Sequence, residues 1–332
     1  MENKISLGAN ESVKDKRTIK HSSLVQVVVP LIKGGYNYIE SDIESQHNVG
    51  ICTAISLIQE REKANGKKYS PDFQYLLQKK YYDGNWIEGS SILTSLKVAN
   101  KIGFLPSELW TYTTEADRDL PYNQYIAKLQ AIPESEVQRL IGLCVDKIAG
   151  YVSVDISDPQ YIAKAINDSE SGVLCRYEVG NEWWNPSWYE KDINPLRPPK
   201  IVISGHAIIK ASFDFISNSM FSLANTWGTN WCRKGCADVI WDKYKPTECW
   251  LITKQPVISK FEYSLSIGMS GDLVKNLQNA LKIKGYFNYE STGYFGIITW
   301  WSVKSFQKAN GIPNTGYVGI LTRTELNKQF KL

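Results

Sequence analysis

Apolar positions fall in short, uneven groups along most of the chain and settle into a regular period in only a few stretches. Just after Asn48–Gly50, the residues Ala54, Ile55, Leu57 and Ile58 recur three and four apart. That spacing predicts a helix opening at Cys52 and stopping near the charged run Gln59–Lys63. The short runs Ile201–Ser204 and Phe221–Ala224 predict strands. Toward the end, Val274, Leu277, Gln278 and Leu281 predict a helix that stops at Gly285. A second runs through Thr299, Trp300, Val303, Phe306 and Gln307 to Gly311, and a third starts near Thr322 and carries Leu326. The segments Thr292–Thr299 (TGYFGIIT) and Thr315–Thr322 (TGYVGILT) repeat each other, with Thr299 and Thr322 as N-cap candidates. Between Tyr177 and Lys200 lie Trp183, Trp184, Pro186, Trp188, Pro195, Pro198 and Pro199. That composition predicts a long loop that covers a core or walls a groove.

These rhythms divide the chain into an N-terminal arm (1–40), a large domain (41–253), a linker (254–263) and a small helical domain (264–332). The 332 residues are 43% hydrophobic and 22% charged, with 11 Trp and 19 Tyr, which excludes a disordered, collagen-like or simple coiled-coil chain. The net charge of +4 is spread without a basic block, so no nucleic-acid partner is expected. Slight basicity suits a polyanionic surface such as a cell wall. No apolar run approaches the ~20 residues of a membrane span. Met1–Lys20 lacks the apolar core of a secretory signal. The expectation is a protein that stays in its producer's cytoplasm or reaches a cell wall by lysis, a phage particle or an injection apparatus.

The six cysteines, Cys52, Cys144, Cys175, Cys232, Cys236 and Cys249, form no zinc-type pattern, so neither metal nor other cofactor is expected. Cys144 with Cys175, or Cys232 with Cys236, could be bridged; free buried thiols are the other reading. Of three histidines, His21 reads as a surface residue and His47 has no metal spacing to Cys52. His206, on an apolar run, would ordinarily be a satisfied core residue. Its company changes that reading. Cys52 at a helix N-terminus meets unpaired N–H groups and the positive end of the helix dipole, which favour thiolate. Cys52, His206 and Asn225 offer nucleophile, base and orienter, and Gln46 offers an N–H to an oxyanion.

The run from Gln46 through Gly50 and Cys52 to Ser56 resembles the nucleophile motif of papain-like cysteine peptidases. Gly205-His206-Ala207 resembles their base motif, and Asn225-Thr-Trp227-Gly228 through Trp231 to Gly235 resembles their Asn-Ser-Trp-Gly motif. Tyr69-Ser70-Pro71, Asp83-Gly84 and Gly89-Ser90 resemble the stretch forming one wall of the cleft. The resemblance implies an α+β fold with a helical left lobe and a β-barrel-like right lobe. It implies catalysis through a thioester on Cys52, with His206 as acid and base, Asn225 orienting it and Gln46 in the oxyanion hole. Gly89 and Ser90 would align substrate backbone, Ala207 would border the subsite for the second side chain, Trp227 would shield His206, and Trp231 would flank the primed side. Departures are Val49 in place of a disulfide cysteine, Ile51 and Thr53 beside the nucleophile, and Cys232 and Cys236 where the family has glycine and an aromatic residue. About 45 residues come before Gln46, so activation by removal of a large prodomain is not expected, although the N-terminal arm could occlude the cleft.

The last stretch, with Gly271, Leu277, Gln278, Gly293, Phe295, Gln307, Gly316, Val318 and Leu326, resembles a peptidoglycan-binding module of the three-helix type. The combined expectation is a cysteine peptidase held at bacterial cell wall, cleaving wall peptides or wall-associated proteins, with Tyr294 and Tyr317 stacking on sugar. The alternative is a structural or targeting component of a phage or injection particle, its papain-like domain non-catalytic or self-processing.

Overall fold

The computed structural model describes residues 8–13, 20–21, 30–183, 195–216, 219–254, 256–289 and 291–332. Trp184, Pro186 and Trp188 of the expected aromatic loop lie outside them. The chain divides into two compact units, Met1–Gln255 and Pro256–Leu332. Residues expected as linker already belong to the second unit: Ile258 and Phe261 are buried in its core.

Helix α1 (Cys52–Asn65) is the seam of the first unit. It does not stop at the charged run, because Gln59, Glu60, Arg61 and Glu62 are themselves buried. Their charges are matched: Arg61 forks onto Glu60 and reaches Glu170 at 3.0 Å, and Glu62 pairs with Lys68 and accepts the Tyr69 N–H. The helix ends at Gly66, whose φ of +72° suits the left-handed C-cap. One side of α1 packs with α2 (Pro71–Gln78), α3 (Ile92–Lys101), α4 (Tyr122–Gln130) and α5 (Glu134–Ile141) around Ile55, Phe73, Leu77, Val98, Tyr125 and Leu140. Ser70 and Ser91 cap α2 and α3 through their hydroxyls.

The other side of α1 packs, through Leu57 and Ile58, onto an antiparallel sheet that shares a core with Leu174, Ala207, Ile209 and Trp250. The sheet contains β4 (Gly150–Val154), β5 (Val173–Val179), β6 (Ser204–Asp214), β7 (Met220–Ala224), β8 (Cys236–Ile240) and β9 (Glu248–Thr253). Their order is β4-β9-β5-β6-β7-β8, and β2 (Lys33–Gly35) adds to β6. Helix α6 (Pro159–Asp168) connects β4 to β5. The run Phe221–Ala224 lies in β7 as expected, whereas β6 starts only at Ser204. Ile201, Val202 and Ile203 are exposed, so their apolar run reflects no buried strand.

The disulfide is neither of the expected pairs. Cys175 bonds Cys249 because the β5–β9 register places them opposite each other, Cα atoms 4.2 Å apart. Cys52, Cys144, Cys232 and Cys236 are free. His21, expected at the surface, is buried beside Asp168 at 2.9 Å. Among the described residues there is no metal-binding cluster, and no helix is long and apolar enough to cross a membrane.

The second unit packs α7 (Asp272–Ile283), α8 (Ile297–Ala309) and α9 (Ile320–Phe330) around Leu277, Leu281, Phe295, Val303, Phe306, Val318 and Leu326. Thr299 and Thr322 are not N-caps. The caps are Gly296 and Gly319, and both threonines lie buried inside their helices. A glutamine on the preceding helix explains the placement. Gln278 accepts the Gly293 N–H and donates to the Tyr294 carbonyl and Thr299 hydroxyl, each within 2.9 Å. Gln307 repeats this with Gly316, Tyr317 and Thr322. Each turn of the repeat is therefore held by one buried amide. Gln278→Leu removes three hydrogen bonds and leaves the buried Gly293 N–H unpaired, at an expected cost of about 2 kcal/mol. Urea-dependent hydrogen exchange of the α7 and α8 amides should show a lower midpoint; an unshifted midpoint would refute this role.

Candidate active site

Cys52 is the first residue of α1, and its sulfur is ringed by backbone N–H groups. Those of Ala207, Gly8, Thr53 and Cys52 itself point toward it. Two belong to the open first turn of α1, a consequence of starting a helix at the nucleophile. The Ala207 N–H sets the strand residue after His206 against the sulfur.

His206 is fully buried, with Nε2 2.6 Å from Asn225 Oδ1. The direction of that bond follows from its neighbour. Thr226 donates its backbone N–H to the same Oδ1 at 2.8 Å, so Oδ1 is an acceptor and His206 Nε2 carries the proton. Nδ1 remains as the lone-pair nitrogen and has no hydrogen-bond partner among the described residues. Thr226 also donates its hydroxyl to Gln46 Oε1 at 2.7 Å, and Gln46 Nε2 donates to the Val49 carbonyl. A single threonine thus orients both Asn225 and Gln46. Sequence reasoning passed over it as an ordinary member of the Asn-Thr-Trp-Gly run.

Trp227 lies 4.5 Å from the His206 ring and screens the His–Asn bond from water. Trp231, expected to flank the primed side, is 5% exposed; it packs on Trp227 and Trp183 and donates to the Trp183 carbonyl. Trp183, read only as a loop aromatic, is fully buried and meets the His206 ring edge-on at 6.2 Å.

The cleft is filled by the chain's own N-terminal arm. Strand β1 (Ala9–Asn10) pairs in parallel with β3 (Ser90–Ser91). The Ser90 N–H donates to the Gly8 carbonyl at 2.7 Å, and Ser12 Oγ accepts the Leu93 N–H. Gly89 and Ser90, expected to align a substrate backbone, here align the arm. Gly8 packs so closely that a Cβ would stand 1.9 Å from the Gly50 carbonyl oxygen. The Gly8 carbonyl turns to Ser90 and that of Ala9 to Arg176. Neither is offered to Gln46 or the first turn of α1, so the arm is held without presenting these two bonds for attack.

Against solved structures, the chain is similar to xylellain, a cysteine protease from Xylella fastidiosa, at a TM-score of 0.57 and 19% identity, over 77% of this chain and 97% of that one. The fold is papain-like. Digestive procathepsin L 3 of Tenebrio molitor matches at a TM-score of 0.47 and 12% identity, over 76% of this chain and 74% of that one. Residues 270–326 match a family described as a putative peptidoglycan binding domain. A spore cortex-lytic enzyme of Bacillus cereus is 38% identical over 64 residues, 19% of this chain; the chain spans a quarter of that relative's length.

In this papain-like cleft Cys52 and His206 are both fully buried. Burial pushes the Cys52 thiol up to about 11 and pulls the His206 imidazole down to about 4, the Asn225 bond opposing the latter. Both shifts disfavour the charged forms of the two groups, and so the thiolate–imidazolium pair, while the site is buried.

In the second unit Tyr294 and Tyr317 are 55% and 49% exposed, at matching places in the repeat. Each ring lies over the glycine that caps the next helix, Gly296 or Gly319. Trp301 is exposed as well, while Trp300 is half-buried against Gly316.

Gly8→Val forces a side chain into the Gly50 carbonyl and should expel the arm, speeding iodoacetamide labelling of Cys52 at pH 7 by about tenfold or more. Equal rates at pH 7 would mean that the arm does not protect the thiol.

Proposed function

We propose that the chain is a latent cysteine peptidase, working through Cys52, His206 and Asn225 and directed to bacterial cell wall by its C-terminal unit. The observation that carries this reading is the Nε2–H tautomer of His206, set by Asn225 and Thr226. It frees Nδ1 to take the Cys52 proton once the arm withdraws and water re-enters. The thiolate adds to the scissile carbonyl, and the oxyanion is met by the Cys52 N–H and the Gln46 amide. The imidazolium then protonates the leaving amine, and the neutral ring activates water to release the thioester. Asn225 keeps the ring in register through both steps, and Trp227 keeps water from the bond that does so.

Similarity of residues 270–326 to a putative peptidoglycan binding domain supports the wall as destination. The exposed Tyr294 and Tyr317 rings suit stacking on sugar faces. The substrate is then peptide of the wall or protein attached to it, reached from the producer's cytoplasm by lysis, a phage particle or an injection apparatus. The closed cleft favours a second reading, a structural component of such a particle, under which Cys52 stays inert even with the arm expelled.

In the Gly8→Val chain, peptide hydrolysis should be lost in Cys52→Ala and fall about a hundredfold in kcat in Asn225→Ala. Full-rate hydrolysis without Cys52, or none with it, would refute the mechanism. Tyr294→Ala and Tyr317→Ala should each weaken co-sedimentation with purified peptidoglycan about fivefold and leave peptide hydrolysis unchanged. Undiminished sedimentation in the double variant would remove these rings from the binding face.

A further inference from the structure

Arg176 is a charged side chain that the catalytic scheme does not use. It lies on β5 in register with Ala207 of β6, which the family resemblance places at the subsite for the substrate's second side chain. The residue is only 8% exposed, yet among the described residues its guanidinium hydrogen bonds end on neutral acceptors. Nε donates to the arm carbonyl of Ala9 at 2.9 Å, and Nη1 donates to the Thr247 hydroxyl at 2.8 Å. Its cross-strand neighbour Glu248 acts on it through charge at a distance but shares no hydrogen bond with it, accepting instead from Trp250 Nε1 and from Ser12 of the arm.

Glycine at position 205 makes this arrangement possible. A Cβ there would stand 2.3 Å from Arg176 Nε, 2.5 Å from Nη2 and 2.1 Å from the Ala9 oxygen. The missing side chain leaves a slot beside His206, and guanidinium and arm carbonyl share it. When the arm leaves, its carbonyl leaves too. A buried guanidinium then faces the substrate path with a vacated acceptor position, and a two-oxygen acceptor matches its planar fork far better than one carbonyl does.

We propose that Arg176 is a specificity-determining anchor for a substrate carboxylate, that of a Glu or Asp side chain two residues before the scissile bond on the acyl side. This rests on the peptidase reading above. The Ala9 carbonyl is its neutral stand-in in the closed form, so Arg176 both latches the arm and selects the substrate that replaces it.

The test uses the full-length Gly8→Val chain and paired peptides that differ only in Glu or Gln at that position. Two readouts are taken: fluorogenic hydrolysis, and the rate at which peptidyl acyloxymethyl ketones label Cys52 in the intact protein. The Glu member should exceed the Gln member by about tenfold or more in kcat/KM and in labelling rate. Arg176→Met should abolish that preference while still cleaving the Gln peptide. Because each ratio is taken within one protein, partial unfolding of a variant cancels. Equal rates for Glu and Gln in a chain that cleaves or labels overturn the anchor and leave the peptidase reading standing. A chain with Cys52 inert to both series overturns the peptidase reading and the anchor with it.

Discussion

The first unit depends on the contact between the first turn of α1 and strand β6. The turn brings open N–H groups to Cys52; the strand brings His206 beside them and supplies the Ala207 N–H. Neither element makes a site alone. Each is held in place by burial on both sides, the helix between a helical core and a sheet, the strand in the middle of that sheet. The buried charges along α1 follow from the same constraint. A helix without a solvent face must match its own polar residues, which it does with Glu60, Arg61, Glu62 and partners drawn from distant loops.

Water decides whether this contact is reactive. Gly8 stands at the Cys52 sulfur and Ala9 beside Gly205, the residue before His206, while Trp183 and Trp227 pack on the imidazole; burial disfavours the charged form of both groups. The closure is made almost entirely by backbone. Gly8, Gly50, Gly89 and Gly205 are the positions where two chain segments approach too closely for any side chain. A strand held this way is positioned firmly by geometry, while among the described residues Gly8 to Val13 only Ala9 adds buried apolar surface. That balance suits a segment that must leave.

Much of the constellation was legible in the sequence because its chemistry is local. A glycine before a helix-starting Cys52, a histidine on an apolar strand, and an Asn-Thr-Trp-Gly run each carry their own signal. The correspondence of the two eight-residue TGY repeats, identical at six positions, likewise exposed the second unit's architecture. What it did not expose was why those threonines are there. Thr299 and Thr322 look like caps from their position after a turn, and only the reach of Gln278 and Gln307 from other helices shows them to be buried anchors.

The sequence by itself determined the local matters: where α1 opens, which residue types surround Cys52, and that the last stretch forms three short helices. The tertiary structure decided everything set by register and approach. Cys175 meets Cys249 through a pairing of strands 74 residues apart that no spacing rule announces. Trp231 is held between Trp183, which stacks on it, and Trp227, which it meets edge-on. The arm occupies the cleft, and Arg176 reaches Ala9, because glycines leave room there. Local patterns report what each residue prefers; the protonation state of Cys52 and His206 depends on how much water remains once distant segments have closed around them.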